Sequence, residues 1–192
     1  MGKYSVAFYK GEYSTRQKQA NSDKAKIYLE QHFNSTGRGF WTTADYAIGV
    51  VASNASKTSI NFARDYAKGV VSEFDEISRV SFDDGVKVGG RGEGNLKLTK
   101  MPAIILEPMF VDDPEHVAVI KSEEGQKRLA KVLVCTIVKH IPQGGLIGFS
   151  VGHKYKRINF MDRGAKLLGC GYEADYAELV LKFAEEMLLK LK

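Results

Sequence analysis

Three apolar runs in this 192-residue chain stop at side chains that can bind a metal or move a proton. KIYLEQ (Lys26 to Gln31) is followed at once by His32, and LIGFSV (Leu146 to Val151) leads through Gly152 to His153. AIILE (Ala103 to Glu107) ends on Glu107 itself. If these runs are strands of an open α/β sheet, ligands bind beyond their carboxyl ends, so the three residues converge on one edge. Glu173 opens the last helical stretch after the turn GCG, from where it can fold back to the same edge. Two imidazoles and a carboxylate with an open fourth position form a common catalytic zinc set, and a further Glu can serve the water. Each residue alone has a blander role, since a His after a strand is commonly a loop residue and a Glu at a helix start favours the dipole. Their coincidence at strand ends is what points to a metal. His116 and His140 fall inside helical stretches and are expected to be structural or solvent-facing. The chain has no C-x-x-C pair, so a zinc site here has to use His and carboxylate.

Positioning those residues takes strands and helices in alternation. Five short β-rich runs stand out: the three above, Tyr4 to Tyr9, and Tyr46 to Ala52. They are mostly continuous apolar runs, the pattern of strands covered on both faces. Ser56 predicts the N-cap of a helix through INFARDYAKGVVSEF, and Ser122 that of a helix to about His140. The second would bury Leu129, Val132, Leu133, Ile137 and Val138. The last helix begins near Tyr172 and is expected to use Tyr176, Leu179, Val180, Phe183, Met187 and Leu188. This alternation predicts a single α/β domain, with a mostly parallel central sheet flanked by helices on both faces. Gly85 to Asn95 holds five glycines but no G-x-G-x-x-G, and reads as a flexible loop rather than a phosphate cradle.

Composition narrows the classes further. Hydrophobic residues at 44% with 27% charged are those of an ordinary globular protein, and no apolar run approaches the roughly 20 residues of a membrane span. The net charge is +5 and the pI about 9.1, which favours an anionic partner. That partner could be nucleic acid or an acidic cell-wall polymer, and basic residues spread along the chain with no block interleaved with aromatics speak against the first. MGKYSVAFYKGEY carries neither an extended apolar segment nor a small-residue cleavage site, so no signal peptide is expected. Cys135, in LVCTIV, is expected to be a core thiol, and Cys170, in GCGYE, to be exposed.

The residues reached so far resemble the zinc-dependent N-acetylmuramoyl-L-alanine amidases. In that family an early strand leads into Gly-His, and a Glu follows at the next helix. A later strand leads into Ser-x-His-x-Asn, preceded by an Arg and an Ala-Asn pair, and a Pro-Ala strand ends on Glu. Here RQKQANSDKAKIYLEQHFNS matches through Arg16, Ala20, Asn21, His32 and Asn34. MPAIILEPMFVDDPEHVAVIKSEEGQKRLAKVL matches through Pro102, Glu107, Phe110, Pro114 and Glu115. LIGFSVGH and DRGAKLLGCGYEADYAELVLKFAEEML match the family's opening unit through Gly152, His153, Gly164, Ala165, Glu173 and Asp175. That opening unit stands last, joined by IPQGG, so the resemblance implies a circularly permuted amidase in which residues 1–141 carry the usual second strand to final helix and residues 146–192 the usual start. Departures are Ser150-Val151 for Asp-Pro before Gly-His, Lys154 and Tyr155 for the glycines after it, and Gln31 for a small apolar residue.

The resemblance implies one zinc held by His32, His153 and Glu173. Glu107 would be the base that takes a proton from the attacking water and returns it to the departing amine of L-alanine. Arg16 and Asn34 would be structural or substrate-side. The partner implied is peptidoglycan, with neither nucleic acid nor membrane insertion. The expected role is a phage-type endolysin, made in the cytoplasm and acting on the wall after release. The alternatives are a bacterial autolysin of the same chemistry, a zinc exopeptidase (whose expected metal-bridging Asp pair is missing), and a wall-binding module without activity.

Overall fold

A computed structural model describes residues 2–37, 44–80 and 82–191. The strands are β1 (Tyr4–Phe8), β2 (Ile27–Gln31), β3 (Tyr46–Val51), β4 (Arg79–Val80), β5 (Val86–Val88), β6 (Ala103–Glu107) and β7 (Gly145–Val151). The helices are α1 (Tyr13–Ser22), α2 (Lys57–Glu73), a single turn α3 (Phe82–Gly85), α4 (Pro114–Lys121), α5 (Glu123–His140) and α6 (Glu173–Leu189). The seven strands form one sheet in the order β1-β7-β2-β6-β3-β4, with β5 behind β4 on the same edge of β3. Every pairing is parallel except that of β3 with β6. The carboxyl ends of β1, β7, β2 and β6 therefore share one edge of the sheet, while β3 points the other way.

The layers follow from side-chain alternation along strands that are buried on both faces. Ile27 and Leu29 of β2, with Phe33 just beyond it, face the larger core, which α2, α4, α5 and α6 close with Phe62, Tyr66, Ile120, Leu129, Leu133 and Leu181. Tyr28 faces the smaller core with Tyr9, Val50, Leu96 and Ile105, which Ala20 of α1 helps to cover. The chain forms a single α/β domain.

Several expectations need correction. Gly85 to Asn95 is no simple flexible loop, because Val86–Val88 adds a strand to β3 and Glu93–Asn95 forms a 3-10 turn. Strands of two and three residues are too short to leave a periodic signal. Cys135 is exposed, as is Cys170, because it lies on the outer side of α5 between buried Val134 and Thr136. The face of α6 is also rotated from the expected one: Ala174, Ala177, Val180, Leu181, Ala184 and Leu188 are buried, while Leu179 is 39% exposed. Small alanines let the helix sit close to the sheet, and a reading that weighted bulky residues missed them.

Both anticipated caps are present. Ser56 Oγ accepts from Ser59 N, and Ser122 Oγ accepts from Gly125 N at 2.9 Å. Replacing Ser122 by Ala should lower unfolding stability by about 1 kcal/mol. Cys135→Ser, on the exposed side of the same helix, should change it by less than about 0.5 kcal/mol. Denaturant unfolding of the two variants checks both values, and a larger loss for Cys135→Ser would contradict its exposed position.

Candidate active site

Parallel register does most of the work of assembly. Glu30 of β2 stands beside Ser150 of β7 on one side and Ile105 of β6 on the other. One residue past the strand, His32 N donates to Leu106 O at 2.9 Å, and Gly152 N donates to Gln31 O at 2.9 Å. His32, Glu107 and His153 thus leave the sheet side by side. His153 itself adopts a left-handed backbone, φ 61°, uncommon for a residue with a Cβ. Its N–H donates to the Tyr13 hydroxyl at 3.0 Å.

Glu173 reaches the same place from the start of α6. The segment after His153 folds back so that Ala165 N donates to Glu173 Oε1 at 3.0 Å, while Phe33 N donates to Oε2 at 3.0 Å. His153 Nε2 lies 2.9 Å from Glu173 Oε1, and the His32 and His153 rings meet edge to face at 4.9 Å. One donor atom from each of His32, His153 and Glu173 lies within 4.8 Å of the others, so the three could hold a metal ion. Two glycines make room for them. A Cβ on Gly152 would come within 2.3 Å of the His32 ring, and one on Gly164 within 2.0 Å of Glu173 Oε1.

Behind each imidazole stands a carboxylate that the sequence did not single out. Asp162 meets His153 Nδ1 at 3.0 Å, leaving Nε2 turned to Glu173. Glu30 Oε1 meets His32 Nε2 at 2.9 Å. A carboxylate behind a ligating imidazole fixes the tautomer and strengthens the ligand. Glu30 had a readable signal, being a charged residue inside a buried run and two positions before His32, hence on the same face. Asp162 had none, since only the folded loop brings it to His153.

The charges respond to this packing. Burial would lower the His32 pKa, but the hydrogen bond and charge of Glu30, with Glu173 and Glu107, raise it to about 9. Burial would raise Glu173, yet His153 and His32 hold it below the ordinary carboxylate value. Asp162 is drawn down to about 2 against its burial, by Lys156, the Gly164 N–H and His153. Glu107 goes the other way. Burial raises its pKa and the Glu173 charge adds to this, with His32, Lys87 and Arg91 opposing. A carboxyl raised in this way holds a proton more readily than an ordinary one.

Arg16 and Asn34 lie outside the donor set. Arg16 is fully buried and donates to Gly11 O at 2.7 Å, Ser150 Oγ at 2.8 Å, Val151 O at 2.7 Å, and Lys154 O. It ties α1 to the segment that carries His153. Asn34 pairs through its backbone with Met109 and Val111, continuing the β2 and β6 neighbourhood beyond the strands. His116 is buried, with Nδ1 accepting from Phe110 N at 3.2 Å and Nε2 meeting Ile77 O at 2.6 Å. His140 meets Asp65 at 2.7 Å on the far side of the domain. Both are structural.

The model of the N-acetylmuramoyl-L-alanine amidase family matches residues 5–139, which contain His32 and Glu107 but neither His153 nor Glu173. Among solved structures, the chain is similar to an N-acetylmuramoyl-L-alanine amidase from Clostridium difficile, with 23% identity and a TM-score of 0.57. That match covers 68% of this chain and 66% of the other. The catalytic domain of the amidase CwlV from Bacillus (Paenibacillus) polymyxa gives 23% identity and a TM-score of 0.52, with the same two coverages of 68% and 66%. An amidase from Nostoc punctiforme gives 19% identity and 0.53, again covering 68% and 66%. The chain thus spans slightly less than two thirds of the length of these proteins. A comparison with curated protein sequences gives no match. At these identities the structures speak for the fold, but the family match extends over well over half of the chain, and on that ground the chain belongs to the N-acetylmuramoyl-L-alanine amidase family.

Proposed function

We propose that this protein hydrolyses the amide bond between N-acetylmuramic acid and L-alanine in peptidoglycan, with one zinc ion held by His32, His153 and Glu173. The observation that carries this reading is the meeting of those three donors within 4.8 Å, next to Glu107 at the end of the adjacent strand, in a chain of this family. The donor set suits zinc, being two imidazoles and one carboxylate, and the surrounding carboxylates of Glu30, Glu107 and Asp162 favour a cation there. When bound, zinc supplies a Lewis acid for the scissile carbonyl and makes water acidic enough to attack near neutral pH. Asp162 keeps the His153 imidazole in place. Glu107 accepts the water's proton and returns it to the amine that leaves. The acceptor must be free to change protonation state, so Glu107 stays outside the ligand set.

The order of the motifs supports a circular permutation. The family match stops at residue 139, before β7 begins at Gly145. In space β7 is a central strand between β1 and β2, and the backbone turn at residues 141–144 feeds into it from α5. The chain ends are neighbours: Lys3 N donates to Leu191 O at 3.3 Å, while Met1 and Lys192 lie outside the described residues. We assign the physiological role to a phage-type endolysin, made in the cytoplasm and reaching the wall after release. A net charge of +5 favours contact with anionic wall polymers but suits a bacterial autolysin equally. Lysis that follows cytoplasmic expression only when the inner membrane is also breached supports the endolysin role.

Purified protein should bind about one zinc per chain, and the double variant His32→Ala, His153→Ala should lose it, as three protein ligands are the usual catalytic set. Elemental analysis decides this, and full retention of zinc by the double variant would rule the site out. Glu107→Gln should keep the zinc while slowing wall hydrolysis by about 100-fold or more. Turbidity loss on purified walls together with release of L-alanine amino groups measures it. Near-normal rates would move the proton acceptor elsewhere.

For the permutation, joining the two chain ends with a short flexible linker and reopening the chain within residues 142–145 should give a folded, active enzyme. The change in loop-closure entropy should be on the order of 1 kcal/mol. A relinked chain that unfolds or loses its zinc contradicts the permuted order.

A further inference from the structure

Glu30 is a fully buried carboxylate that takes no part in the proton transfer assigned to Glu107. Both of its oxygens are engaged. Oε1 meets His32 Nε2 at 2.9 Å and accepts from Asn95 Nδ2 at 2.7 Å. Oε2 accepts from Ser150 Oγ at 3.0 Å and from the Tyr28 hydroxyl at 3.1 Å. These partners come from β2, β7 and the 3-10 turn that follows β5. Arg16 adds a buried positive charge, and its own donor bond to Ser150 Oγ (2.8 Å) turns that hydroxyl toward Glu30. Burying a carboxylate is costly even when paired, and an apolar residue would fill the space at lower cost. Three aimed donors and one imidazole indicate that the charge has a task.

We infer that Glu30 is a positioning residue for the metal site, acting through His32. It occupies Nε2 of His32, so Nδ1, which has no hydrogen-bond partner among the described residues, is the nitrogen left to a metal. Its negative charge also makes that imidazole a stronger ligand. The same geometry accounts for the departure at Ser150, which stands where the resemblance has an Asp before Gly-His. Glu30 and Ser150 are register partners on adjacent strands and hydrogen-bond to each other, so a carboxylate and a hydroxyl share one spot. In this chain β2 supplies the carboxylate and β7 the hydroxyl. The two are therefore exchangeable in principle across the strand pair. This inference rests on the zinc reading given above.

Zinc affinity by chelator competition, and the absorption spectrum of the cobalt(II)-substituted protein, test it without recourse to activity. Glu30→Gln should bind zinc about 10- to 100-fold more weakly and shift the cobalt bands, since it keeps the shape of the side chain but loses the charge. The exchange variant Glu30→Ser, Ser150→Asp returns a carboxylate to the same spot from β7. It should recover affinity to within about tenfold of the parent and restore the cobalt spectrum, as a merely structural role would not require. Should Glu30→Gln fail to fold, the exchange variant decides alone, with recovered affinity supporting the role. Parent-like affinity and spectrum in Glu30→Gln, or an exchange variant that folds yet binds no better than Glu30→Gln, would overturn it. If the parent itself binds no zinc, the failure belongs to the zinc reading. A parent that binds zinc beside an unaffected Glu30→Gln is a failure of this inference alone.

Discussion

The parallel register of β2 between β7 and β6 is the constraint on which the rest depends. Side chains on a strand alternate with a period of two, so a slip by one residue would turn Glu30 and His32 from the α1 face into the larger core. The same slip would carry Ile27 and Leu29 out of that core, where both are fully buried. Apolar burial on one face therefore fixes the position of a polar row on the other. That row runs from Tyr28 and Glu30 of β2 to His32 just past it, with Ser150 beside it on β7 and Glu107 at the end of β6. The adjacent ends of these three strands leave one open edge, and the chemistry collects there.

Charge balance is the second constraint, and it follows from the first. Glu30, Glu107, Glu173 and Asp162 crowd around two imidazoles in a partly enclosed space. Carboxylates so placed need positive charge or several donors. Arg16 and Lys156 supply charge from behind, while the N–H groups of Phe33, Gly164 and Ala165 supply fixed dipoles. The same surroundings that favour a proton on His32 favour a cation among the three donors. Glu107 escapes this neutralisation, having no hydrogen-bonded cation among the described residues, and its pKa moves up where the others move down. Four neighbouring carboxyl groups thus differ in charge preference because of their surroundings.

The segment from Gly152 to Tyr172 shows how an irregular stretch can still be well fixed. Lys154 pairs with Asp175 and Glu178 of α6, and Arg163 pairs with Asp175. Lys156 holds Asp162 at 2.6 Å, and Glu12 accepts from Arg157 N and Ile158 N. Most of its basic residues face acids within the domain. That leaves His153 and Glu173, at the two ends of the segment, a fixed distance apart.

Much of this was legible in the residues themselves. Five strands, two serine caps and the start of the last helix followed from apolar runs and cap chemistry, because those signals are local. His32, Glu107, His153 and Glu173 could be singled out because each stands at an element boundary, where a chain leaves its core. Sequence could not find β4 and β5, which are too short to carry a period, nor the buried face of α6, which rests on alanines rather than bulky side chains. It misplaced Cys135, since apolar neighbours along the chain do not say which side of a helix faces out. Glu30 left a signal as a charge inside an apolar run, but the pairing of a carboxylate with each imidazole was decided by tertiary structure. Glu30 gains its meaning only from Ser150, 120 residues away, and from Asn95 in a turn that read as a loop. Asp162 gains its meaning from a loop whose path is set by ion pairs with α6. The sequence determined which residues could bind a metal, because that depends on side-chain chemistry. Only the fold decided which nitrogen each imidazole presents and which carboxyl is raised rather than lowered in pKa, because those depend on distance and burial.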